Sequence, residues 1–125
     1  MKIAKGVYQV GGDGLSAPGD AAVYLVAFDD AAALIDAGTG RGHDAVVRAI
    51  DACLPPGATI AHLLLTHCHF DHTGGAARLR EHYGCAIVAH AADARFLETG
   101  DCRVTAAAWY HAEPHPVRVD HAITG

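Results

Sequence analysis

Apolar and polar positions change period several times along the chain, and each change marks an element. Ile3, Val7 and Val10 bracket polar residues, so Lys2 to Val10 predicts one opening strand. Gly11-Gly12-Asp13-Gly14 and Ala17-Pro18-Gly19-Asp20 predict loops. Ala21 to Phe28 is a β-rich run, Asp29-Asp30 a short turn, and Ala31 to Ala37 a second apolar run, which together predict a hairpin broken by Gly38 to Gly42. From His43 to Cys53 the period becomes helical, with Val46, Ile50 and Cys53 on one face and Pro55-Pro56-Gly57 as the stop. Ile60 to Leu65 is a short run, apolar apart from His62, and fits a strand covered on both faces. Thr73-Gly74-Gly75 opens a helix through Arg80 and Tyr83 that Gly84 ends. Cys85 to Ala89 predicts a strand, Ala91 to Leu97 a short helix, and Val117 to Val119 the start of a further strand. Strands alternating with helices after an initial hairpin make a mixed α/β fold.

Composition narrows the class without naming it. A chain of 125 residues suits one compact domain. Half of it is apolar (51%), much of that alanine, so the core leans on Leu, Val, Ile and aromatic positions. The net charge of -5 is spread out, and no Lys/Arg stripe offers a surface for nucleic acid. No secretory leader or bilayer-length apolar run is visible, which predicts a cytoplasmic protein with no membrane association. The four cysteines, Cys53, Cys68, Cys85 and Cys102, include no CxxC pair and are expected as free thiols.

The ten histidines do change the picture. Thr66-His67-Cys68-His69-Phe70-Asp71-His72 follows directly on the apolar strand. Alternation past the strand end places His67 and His69 on one side and turns Cys68 and Phe70 away, while Asp71 and His72 swing back from the loop or helix start. Imidazole and carboxylate are the donors zinc accepts at catalytic sites, where a position is kept open for water. Four of them within six residues form a cradle for one or two divalent ions. Cys68 is a candidate thiolate, but its parity favours a packed thiol.

This HxHxDH pattern resembles the signature of the metallo-β-lactamase superfamily. The context is similar too: a hairpin ending in Asp36-Ala37-Gly38, a helix, a buried strand from His62 to Leu65, then the motif and Gly74-Gly75. The resemblance implies the first half of an αββα sandwich, a mixed sheet with flanking helices, with residues 1–125 as the N-terminal portion of the domain. It implies a metallo-hydrolase that uses a metal-bound hydroxide, with zinc as the ion and iron or manganese as alternatives. His67 and His69 would belong to a first metal site, and Asp71 and His72 to a second. Asp71 would also be catalytic, orienting the hydroxide and handling its proton. Asp36 would support a ligand imidazole or loop by hydrogen bonds, although plain loop capping accounts for it equally. A small ester, thioester or lactone is the implied substrate class, with hydroxyacylglutathione hydrolases and lactonases as the nearest models.

The later ligands of the family are not matched: no Gly-His-x-x-Gly element follows. His111, His115 and His121 are weak substitutes because no fixed spacing supports them. His43, His62 and His82 read as ordinary partly exposed side chains, His90 as a surface or hydrogen-bonded histidine, and Trp109 and Tyr110 as packing residues. Half a sandwich leaves an apolar sheet face open, which favours self-association as a homodimer. Three readings compete with the hydrolase: a truncated, non-catalytic metal-binding domain that folds by pairing, an iron-dependent sulfur dioxygenase, and a nuclease of the same fold.

Overall fold

A computed structural model describes residues 1–100 and 116–124. The chain opens with two short strands, β1 (Lys2–Ala4) and β2 (Val7–Gly11), paired antiparallel. The single strand expected from Lys2 to Val10 is therefore interrupted. Gly6, at φ 75°, turns the backbone where a side-chain-bearing residue would be strained. The predicted hairpin follows as β3 (Val23–Phe28) and β4 (Ala31–Ile35), with Asp29 in the left-handed region at the turn.

From here the pairing becomes parallel. Helix α1 (His43–Cys53) leads to β5 (Thr59–Leu64). The short α2 (Phe70–Thr73) and α3 (Ala76–Tyr83) lead to β6 (Ala86–His90), and α4 (Ala91–Thr99) precedes β7 (His121–Ile123). The seven strands lie side by side in chain order, with β4, β5, β6 and β7 mutually parallel. The α/β class with a mixed sheet and flanking helices is as the sequence predicts. The last strand is displaced from Val117–Val119 to residues 121–123. Val117 instead packs into the core and donates its N–H to Leu97 O at 2.9 Å.

Alternation sorts the sheet into two faces. Val23, Leu25, Ala32, Leu34, Leu63 and Ile87 are buried beneath the helices, joined by Val46 and Ile50 of α1 and Leu79 of α3. The opposite face carries a row that runs Tyr24, Ile35, Leu64, Val88 and His121 across five strands, and every member is half-buried or exposed. The expectation that β5 is covered on both sides therefore fails for the described residues: His62 is exposed and Leu64 is 38% exposed. Among the described residues helices pack on one face of the sheet, so a mostly apolar run does not guarantee two-sided burial. Gly84 ends α3 in the left-handed conformation at φ 68°, as its position predicts. Among the described residues no helix is long and apolar enough to cross a membrane.

Candidate metal centre

Parallel pairing of β4 with β5 brings the C-terminal ends of both strands to one edge. The ladder continues one step past β4, where Asp36 N–H donates to Leu64 O at 2.8 Å. Beyond Leu64 the chain leaves strand geometry and the alternation changes phase at exposed Thr66: Leu63 and Leu65 are buried before it, Cys68 and Phe70 after it, so that His67 is half-buried and His69 exposed. The two anchors, Cys68 and Phe70, are each 5% exposed and fix the loop from below. Cys68 is thus packed away from the imidazoles, as its parity predicts. His69 enters α2 in an extended conformation, which places Asp71 in the first turn and His72 in the last.

The loop is also sewn to its neighbours by backbone bonds. Ala37 N–H donates to His72 O at 2.7 Å, Gly75 N–H to Gly38 O at 3.0 Å, and Ala21 N–H to Asp71 O at 3.1 Å. This approach is close enough to exclude side chains. A Cβ on Gly75 would sit 2.4 Å from Ala37 O, and one on Gly74 would sit 2.3 Å from Thr39 O.

Three of the four residues expected at the site fall into one group of donors. Donor atoms of His67, His69 and Asp71 all lie within 4.8 Å of one another. His72 stands beside this group, with its ring 3.9 Å from that of His67 and its Nε2 3.6 Å from Asp71 Oδ2. Asp71 therefore lies close to donor atoms of His67, His69 and His72. Burial lowers the pKa of His67, and the neighbouring His72 and His69 lower it further, which favours the neutral imidazole a metal requires.

Asp36 lies beneath, 4% exposed and in the left-handed region at φ 63°, an uncommon conformation for a residue with a side chain. Its carboxylate accepts from Thr66 N–H at 2.8 Å and from Thr66 Oγ1 at 2.7 Å. It also meets His72 Nδ1 at 2.8 Å. An ionised carboxylate only accepts, so His72 Nδ1 is the donor in this contact, and in a neutral ring the lone pair then falls on Nε2. Both roles open to Asp36 are represented in its contacts: the bonds from Thr66 cap the loop, and the bond from His72 holds an imidazole.

Two residues of this region were missed in the sequence. Thr66 has no role in the sequence reading, although it heads the motif; its Oγ1 lies 3.0 Å from His67 Nδ1. Asp20 was read as an ordinary loop residue. It is 5% exposed and clamps the loop after β2 by accepting from Thr39 N–H at 2.8 Å, from Thr39 Oγ1 at 2.6 Å and from Ser16 Oγ. Nothing in local periodicity signals a carboxylate whose partners lie 19 residues away. Of the other described histidines, His90 Nδ1 accepts from Ala92 N–H at the start of α4 and exposed His121 lies beside His62, whereas the Nδ1 of half-buried His43 has no hydrogen-bond partner. His111, His115, Cys102, Trp109 and Tyr110 lie outside the described residues.

A cluster of this kind at the end of a parallel strand can be compared with known proteins. The model of the Metallo-beta-lactamase superfamily matches residues 17–122. The chain belongs to that superfamily. A motif mutant of the metallo-β-lactamase from Cronobacter sakazakii superposes with a TM-score of 0.78 at 28% identity, covering 99% of this chain and 46% of that one. A subclass B3 metallo-β-lactamase of Bradyrhizobium japonicum gives 0.74 at 28% identity, covering 95% and 42%. Among curated proteins, the hydroxyacylglutathione hydrolase of Rhodospirillum rubrum is 49% identical over 41 residues, which is 33% of this chain and 16% of that protein. The counterpart from Bradyrhizobium sp. (strain ORS 278) is 42% identical over 43 residues, 34% of this chain and again 16% of the relative. The chain thus spans less than half the length of these superfamily structures.

Donor chemistry fits a metal of the kind the superfamily name implies. Two imidazoles and a carboxylate are hard-to-borderline donors suited to zinc, and also to iron through a His/His/carboxylate set. Their spacing is within reach of one ion bound at about 2.0–2.2 Å from each donor after small ring rotations.

Proposed function

We propose that the protein is a metal-dependent hydrolase, with zinc as the ion and a thioester, ester or lactone as the substrate. The observation that carries this reading is the convergence of His67, His69 and Asp71 within 4.8 Å at a strand end. The thioester preference draws on the hydroxyacylglutathione hydrolases that share short segments with this chain. A zinc ion held there would lower the pKa of a water molecule and polarise the substrate carbonyl oxygen.

The chain's own residues then have distinct tasks. His67 and His69 hold the ion as neutral donors. Asp71, half-buried and open on one side, orients the attacking water and takes up its proton at the carboxylate. His72 offers its Nε2 to a second ion, with the ring fixed by Asp36 through Nδ1.

One observation favours a second reading. The open sheet face, with Leu64 and Ile123 exposed at 38% and 53%, suits a non-catalytic metal-binding domain completed by a second copy. Hydrolysis of a thioester such as an acylglutathione, with metal content measured after purification without added metal, tests both. The hydrolase reading expects chelator-sensitive turnover that His67→Ala and Asp71→Ala abolish, with zinc as the ion recovered. Turnover that survives both substitutions refutes it. A metal-loaded dimer that hydrolyses no thioester, ester or lactone supports the second reading.

A further inference from the structure

Resting on the metal-site reading above, we infer that Thr66 is a positioning residue: its hydroxyl relays the Asp36 carboxylate to His67 and holds that ring with the proton on Nδ1 and the lone pair on Nε2.

The argument is a count of hydrogens. Thr66 Oγ1 lies 2.7 Å from Asp36 Oδ2 and 3.0 Å from His67 Nδ1. A hydroxyl has one proton and two lone pairs, and an ionised carboxylate has no proton to give. If the hydroxyl pointed at His67, two bare oxygens would face each other at 2.7 Å, an arrangement that the burial of Asp36 penalises even though Thr66 itself is exposed. The hydroxyl therefore donates to Asp36, and only a donor can occupy the remaining contact. His67 Nδ1 is that donor. An unconstrained imidazole in water prefers its proton on Nε2, so the contact selects the less favoured tautomer, which leaves Nε2 as the donor for an ion.

The same carboxylate acts directly on His72, whose Nδ1 it meets at 2.8 Å. One buried group thus sets two rings in the same tautomer, one by contact and one through a hydroxyl. The backbone strengthens the relay, because Thr66 N–H donates to the other oxygen, Asp36 Oδ1, at 2.8 Å. With both carboxylate oxygens engaged by one residue, the carboxylate plane is fixed relative to the loop. Serine could replace the hydroxyl. Valine would match the shape and lose the relay.

Long-range nitrogen–proton NMR of the histidine rings in the metal-free protein, paired with zinc titration against a competing chelator, tests the assignment. The expected result is an Nδ1–H tautomer for both His67 and His72 in the wild type. In Thr66→Val, His67 shifts toward Nε2–H and zinc affinity falls about tenfold, the lower end of the effect of removing a group that orients a ligand; Thr66→Ser restores both. An Nε2–H tautomer at His67 in the wild type overturns the proposal without any variant, so it remains testable if the valine protein does not fold. Unchanged tautomer and affinity in Thr66→Val also overturn it. Correct tautomers in a protein that retains no zinc would refute the metal-site reading and leave the relay standing.

Discussion

Replacing Gly75 with alanine should separate the centre's two supporting loops. Gly75 has φ -89° and ψ -1°, a conformation alanine adopts without strain, so the substitution acts through contact alone. The new Cβ would lie 2.4 Å from Ala37 O and 3.3 Å from Gly40 Cα. Ordinary contact needs about 1 Å more than the first of these, since carbon and its neighbours settle near 3.5 Å. A shift of that size stretches the Gly75 N–H to Gly38 O bond and the Ala37 N–H to His72 O bond. Overpacking costs about 1–3 kcal/mol and each weakened hydrogen bond about 1 kcal/mol, so a loss of about 3 kcal/mol is expected. Urea unfolding of the metal-free protein measures it. Gly57→Ala is the control: Gly57 sits at φ 79° with nothing within 4 Å, so alanine there meets backbone strain without crowding. The expected cost of the control is about 1 kcal/mol. If Gly75→Ala is no more destabilising than Gly57→Ala, the close approach does not hold the loops together.

Asp36→Asn keeps the shape but removes the charged acceptor shared by Thr66 and His72; about 2 kcal/mol of stability and at least a tenfold loss of zinc affinity are expected, read by urea unfolding and chelator competition. Ile50→Ala, at a fully buried position on α1, should cost about 2–5 kcal/mol in the same unfolding assay while leaving the histidine tautomers unchanged. His43 has its pKa lowered by burial and then by Arg78, and its Nδ1 is buried without a partner. Because the folded state resists protonation there, the unfolded chain binds the proton first as pH falls below about 6.5. Stability contributed by neutral His43 is complete above that pH and declines as pH falls toward the lowered folded value. His43→Phe should therefore flatten the decline in Tm between pH 7 and 5, and an unchanged slope would contradict this account.

Local signals were sufficient where a residue's neighbours in sequence are also its neighbours in space. The spacing of Val46, Ile50 and Cys53 placed α1 at His43–Cys53, and Gly84 marked the end of α3. The HxHxDH spacing marked His67, His69 and Asp71, whose donor atoms lie within 4.8 Å of one another, because a strand end followed by one helical turn suffices to gather them. What stayed hidden depends on sequence-distant contacts. Gly6 reads as one polar step in an alternating strand, and only its pairing with Ala27 shows the turn, through the Ala27 N–H to Gly6 O bond of 2.7 Å. Two-sided burial of β5 was inferred from apolarity, but burial depends on what lies across the sheet. Thr66 and Asp36 are 30 residues apart, so no window along the chain could join them.

The placement of the centre follows from where the sheet changes sense. Strands β1 to β4 are antiparallel, so their ends alternate between the two edges; β4 and β5 are parallel, so theirs coincide. Asp36 leaves β4 at the edge where Thr66 leaves β5, and α1 spans the sequence between them. An antiparallel β5 would carry the histidines to the opposite edge, away from the carboxylate. The left-handed backbone of Asp36 is tolerable for the same reason. Its strain, of order 1–3 kcal/mol, is opposed by three hydrogen bonds that exist only because the two strand ends meet. Topology thus precedes chemistry here: the crossover brings a buried acceptor under a histidine loop, and the acceptor then decides which ring nitrogens remain available as donors.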